Sequence, residues 1–108
     1  MRLTELEPKF LKWSSDRSFG KQEVIEGADG VMFLCPKCFE MNKGPVGTHV
    51  IICWAPHVPL TVYPAPGRWA MNGSGYENLS LVASPTSVEI KGGCCAHFIV
   101  SNGEIRNA

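Results

Sequence analysis

Two stretches decide the fold: Val31-Met32-Phe33-Leu34-Cys35-Pro36-Lys37-Cys38, and then His49-Val50-Ile51-Ile52-Cys53-Trp54. The first is a short apolar run that ends in a C-x-x-C pair, which reads as a buried strand delivering two thiols to one point. The second is β-branched and aromatic, the strongest strand signal in the chain. Outward from these, the chain is punctuated every few residues. Phe10 to Trp13 and Lys21 to Ile25 read as strands around a polar turn from Ser14 to Gly20, and Gly27-Ala28-Asp29-Gly30 turns the chain into Val31. Arg68 to Met71, Leu79 to Ala83 and Ser87 to Lys91 read as further strands, the last two separated by Ser84-Pro85-Thr86. Asn102-Gly103 between His97-Phe98-Ile99-Val100 and Glu104-Ile105-Arg106 predicts a closing hairpin, because Asn-Gly accepts the positive φ angles of a type I′ turn.

No window carries sustained helical periodicity; a short helix after Cys38, stopped by Gly44-Pro45, is the one candidate. Thr4-x-x-Glu7 resembles a capping box, but Pro8 follows at once. The expectation is therefore a mainly β protein: a small single-domain antiparallel β fold over residues 1–108, with a zinc-ribbon-like site and a C-terminal hairpin. Residues 55–67 carry Pro56, Pro59, Pro64 and Pro66, which exclude a central strand and predict an extended, proline-rich surface loop.

Composition narrows the functional classes. The 108 residues hold ten basic and ten acidic side chains, balanced within residues 1–26, 27–66 and 67–108, so no block supplies the basic cluster that phosphate binding needs. Met1 to Trp13 is charged throughout, without the apolar core of a signal peptide, and no apolar run is long enough to span a bilayer. These features predict a cytoplasmic location, where thiols stay reduced, and the odd total of five cysteines does not suit a closed disulfide framework.

The cysteines instead have ligand spacing. Cys35-x-x-Cys38 and Cys94-x-x-His97 each point two donors at one place, and together they make a tetrahedral set of three thiolates and one imidazole, the donor chemistry of Zn²⁺. Gly92 and Gly93 let the backbone bend around the second pair. His49 and Cys53 alternate onto one strand face and are the alternative ligands. Otherwise Cys53 is a small buried apolar residue and Cys95 a bystander. A thioredoxin-like reading of Cys35-x-x-Cys38 lacks its βαβ setting and a helix long enough to activate the first thiol. No hydrolase elbow, P-loop, H-E-x-x-H or deaminase pattern is present in the sequence.

The chain resembles a family of small zinc-binding proteins and domains from tailed phages, prophages and bacteria. The resemblance rests on Leu3-Thr4-Glu5-Leu6-Glu7-Pro8-Lys9-Phe10-Leu11, Asp29 to Cys38, Gly47 to Trp54, Pro66-Gly67-Arg68-Trp69, and Gly92-Gly93-Cys94 with Ala96-His97-Phe98. It implies a one-domain zinc-binding β protein whose pattern includes the His49 and Cys53 positions.

Three functions follow as expectations. The first is a non-catalytic phage or prophage accessory protein, stabilised by structural zinc and contacting a protein partner through the proline-rich segment, with Trp69, His57 and Tyr63 as candidate contact residues. The second is a small zinc enzyme with an open metal position and His49 or Glu40 as base. The third is a single-strand nucleic-acid binder of the zinc-ribbon kind, against which the balanced charge weighs.

Overall fold

The computed structural model describes residues 1–14, 18–83 and 86–108. The parts of the two turns expected at 15–17 and 84–85 lie outside the described residues. The chain is mainly β and built from three antiparallel sheets. Strands β1 (Lys9–Trp13), β2 (Phe19–Gln22), β3 (Gly30–Leu34) and β4 (Val50–Trp54) form a four-stranded sheet in the order β2-β1-β3-β4. β5 (Ala70–Asn72) pairs with β6 (Ser80–Val82). β7 (Val88–Glu89), β8 (His97–Ser101) and β9 (Glu104–Asn107) form the third sheet. One helix, α1 (Pro36–Asn42), interrupts the β3–β4 connection.

Side-chain alternation in the first sheet divides the interior. Phe10, Val31, Phe33, Ile51 and Cys53 face the main core, where they meet Leu79, Leu81, Phe98 and Val100. Their neighbours Leu11 and Trp54 face the other way and form a second cluster with Val58 from the proline-rich loop. The β3–β4 ladder needs Gly30 where it passes Trp54: a Cβ there would lie 2.7 Å from the indole ring and 2.8 Å from the Cys53 carbonyl. The closing hairpin forms as Asn102-Gly103 predicts, both residues having positive φ. Its tip is tied down by the Gly103 N–H donating to the Leu79 carbonyl and the Leu3 N–H donating to Gly103, both at 2.8 Å.

Three local expectations change. Lys21 to Ile25 starts too late, since β2 begins at Phe19, where the register with β1 places Phe19 opposite Trp13. The N-terminal segment is a 3₁₀ turn over Leu3–Leu6, in which the Glu5 carboxylate, not Glu7, accepts the Arg2 N–H at 2.7 Å. The 55–67 loop is not extended. It closes around Arg68, whose Nε, Nη1 and Nη2 donate to the carbonyls of Val58, Pro59, Val62, Pro64 and Gly67 at 2.5–3.0 Å. The Trp54 indole N–H adds a bond to the Tyr63 carbonyl at 2.8 Å. Prolines supply no N–H donors, so the carbonyls of this loop find their partner in one guanidinium.

Asp29 fastens the same loop to the sheet. It is the buried charged residue among the described ones; its carboxylate accepts the Trp13 N–H at 2.8 Å and contacts the His57 Nε2 at 2.6 Å. Burial opposes its ionisation, but His57, Trp13 and Lys12 outweigh burial and hold the carboxyl below its ordinary value of 3.8. A depressed folded pKa means the stabilisation is complete above about pH 4 and is lost as the pH falls through the folded value. Asp29→Asn is therefore expected to lower stability at pH 7 and to flatten the acid limb of the stability profile, measured by urea unfolding at pH 7 and pH 3.

Candidate metal centre

The register of β3 against β4 builds one side of the site. Leu34 lies opposite Val50, so the next pair outward is Cys35 and His49, joined by the Cys35 N–H donating to the His49 carbonyl at 2.9 Å. The chain then turns directly into α1, with Cys35 as N-cap residue and Pro36 at the first helical position. Proline suits that position because its fixed φ is helical and its missing N–H would be unpaired there in any case. The helix thus starts before Cys38, not after it, and the first cysteine pair sits on a strand-to-helix turn. The other side is the 92–95 turn, closed by the Cys95 N–H donating to Gly92 at 3.2 Å. Gly92, Gly93 and Cys95 all have positive φ there, and two glycines make that course inexpensive.

These elements bring Cys35, Cys38, His49 and Cys94 together, with one donor atom from each and all four atoms within 4.8 Å of one another. The Cys35 and Cys94 sulfurs are 3.8 Å apart, and the Cys94 sulfur is 3.5 Å from His49 Nε2. A tetrahedron with Zn–S bonds of ~2.3 Å and a Zn–N bond of ~2.05 Å has S–S edges of about 3.8 Å and S–N edges of about 3.6 Å. The donor chemistry and these two separations are those of such a tetrahedron, and the set could hold a metal ion. All five cysteines are free thiols.

No known protein family, characterised protein or solved structure matches the chain.

Metal-free, the cluster does not share its charge evenly. Burial opposes ionisation of Cys94, but His49, the Ala96 N–H and the thiols of Cys35 and Cys38 outweigh it and bring Cys94 down to about 7. Burial and the hydrogen bonds to Cys94 and Cys35 push Cys38 up to about 11. One thiolate is thus stabilised by its neighbours at the expense of the next, the electrostatic problem a divalent cation relieves.

Of the ligands expected from the sequence, Cys35, Cys38 and Cys94 converge, and the fourth donor in reach is His49 rather than His97. His97 opens β8 opposite Glu89 and is exposed, because alternation with buried Phe98 and Val100 sends it to the opposite face. Cys53 shares a strand face with His49 but lies four residues along it, roughly 13 Å at the rise of a strand. It is enclosed in the main core, where burial pushes its thiol well up. Cys95 is exposed and directs its thiol to the Gly93 carbonyl. His97→Ala is expected to keep the full metal content of the native protein, whereas His49→Ala loses it, with metal analysis after gel filtration as the measurement.

The three candidate contact residues are placed differently. Tyr63 is 84% exposed on the Arg68-centred loop. His57 is held against Asp29. Trp69 is half-buried, its ring over Gly67 and its indole Nε1–H donating to the Thr86 carbonyl at 3.0 Å. Trp54 is a core residue. No helix among the described residues is long and apolar enough to cross a membrane.

Proposed function

We propose that Cys35, Cys38, His49 and Cys94 hold one structural Zn²⁺, and that the protein is a non-catalytic accessory protein of a phage or prophage, working in the host cytoplasm through contact with another protein. The observation that carries the zinc assignment is the pair of donor separations, 3.8 Å between sulfurs and 3.5 Å between sulfur and nitrogen, which match the edges of a zinc tetrahedron. Three thiolates and an imidazole fill four positions, and a catalytic zinc keeps one open for water or substrate. Bound zinc would clamp the start of α1, the start of β4 and the 92–95 turn, three places far apart in sequence. Neutral overall charge supports a protein partner over a nucleic acid. The phage or prophage setting rests on the motif resemblance.

Cobalt substitution tests the closed set. The Co²⁺ protein is expected to show thiolate charge-transfer bands and tetrahedral d–d bands that added cyanide or azide leaves unchanged. Bands that shift with either anion would overturn the structural reading in favour of an open, enzyme-like centre.

A further inference from the structure

β4 is the outer strand of its sheet, and its outward edge is only partly used. The Cys35–His49 and Asp29–Ala55 hydrogen bonds fix which residues face β3: His49, Ile51, Cys53 and Ala55. Val50, Ile52 and Trp54 therefore direct their N–H and C=O groups away from the sheet. The Trp54 carbonyl accepts the Trp69 N–H at 2.9 Å. Among the described residues no hydrogen bond meets the backbone groups of Val50 or Ile52 on that side. β7 is likewise the outer strand of its sheet, and the Ile90–Ala96 bond turns the backbone groups of Glu89 outward.

Both edges line the same groove, about 910 Å³, with His49 to Ile52 on one wall, Val88 to Ile90 on the other, and Pro64, Pro66 and Trp69 at one end. An unpaired edge exposed on a flat surface invites sheet-to-sheet association. An edge recessed in an apolar groove admits a single chain instead, and its donors and acceptors two residues apart complement an extended backbone. The charges differ along it. Arg68 lines the Trp54 end, and no carboxylate pairs with it among the described residues. Lys91 lines the same side of the groove as Glu89, two residues from it, so their charges offset each other. Glu89 stands on the β7 wall. The excess of positive charge is thus at the Arg68 end.

We infer that this groove binds an extended segment of a partner protein as an added strand on β4, with apolar side chains at alternate positions and a carboxylate drawn toward the positive charge of Arg68, whose N–H groups the loop carbonyls already occupy. This deepens the protein-contact reading above by naming the surface and the chemistry of what fits it.

The test is selection from a displayed library of random ten-residue peptides against the purified protein, with zinc content measured on the same sample. Enriched peptides are expected to alternate apolar residues and to carry Asp or Glu near one end. They should bind Val50→Pro at least tenfold more weakly; proline removes an N–H the fold does not use and suits an edge strand. On the native protein, N-methylation at alternate peptide positions should abolish binding, and exchange of the peptide's acid for Lys should weaken it about tenfold. The proposal is overturned by no enrichment, or by peptides that bind equally well after N-methylation or to a folded Val50→Pro. A sample that selects such peptides but holds no zinc refutes the metal reading alone; a zinc-loaded sample that selects none refutes the groove alone.

Discussion

Cys94→Ser is expected to lose its metal and to unfold at 25 °C. The magnitude follows from the size of the terms. Structural zinc contributes an apparent ~10–16 kcal/mol at neutral pH, while an ordinary domain has a net stability of about 5–15 kcal/mol. Removing the ion therefore takes away most or all of the margin. Cys94 is the most damaging choice because its sulfur approaches both Cys35 and His49, and because it belongs to the far segment that the centre ties to α1 and β4. Far-UV circular dichroism and thermal melting with and without a chelator would measure this. The chelated native protein should match the variant, and acidification should act alike. Below about pH 7 Cys94 itself becomes protonated, so each bound ion must displace one more proton and affinity falls more steeply.

Arg68→Met is expected to cost on the order of 3 kcal/mol while leaving the metal bound. Five loop carbonyls share one guanidinium, and hydrogen bonds to a charged donor contribute about 1.5–3 kcal/mol each, reduced here because some of the carbonyls can turn to water. Arg68→Lys should rescue little, since an ammonium offers three donors from a single point and cannot span the fork that reaches both Val58 and Gly67. The urea midpoint gives the stability. Faster chymotrypsin cleavage after Leu60, which is exposed, with an unchanged metal content would place the damage in the loop.

The difference between the two variants shows what was legible in the sequence. Cys35 and Cys38 were readable because C-x-x-C at a strand end is ligand spacing, and Cys94 because a C-x-x-H pair follows two glycines, although its partner in that pair, His97, faces away. The hairpin at Asn102-Gly103 and the strands through Phe33 and Ile51 were readable because turn chemistry and β-branched runs are local signals. His49 was harder. Its place depends on the register of β3 against β4, a non-local property; had that pairing been assumed, closing Leu34 on Val50 would have put His49 beside Cys35. His97 looked the better ligand on spacing alone, and the alternation of β8 turns it away. The compact 55–67 loop had no local signal either, because what shapes it is a guanidinium that follows it in sequence.

Zinc K-edge X-ray absorption on the purified protein tests the centre most directly. The expected first shell is three sulfurs at about 2.3 Å and one nitrogen at about 2.05 Å, at one zinc per chain and with the nitrogen lost in His49→Ala. A zinc-free protein, a shell with fewer than three sulfurs, or an unchanged nitrogen in His49→Ala would contradict it.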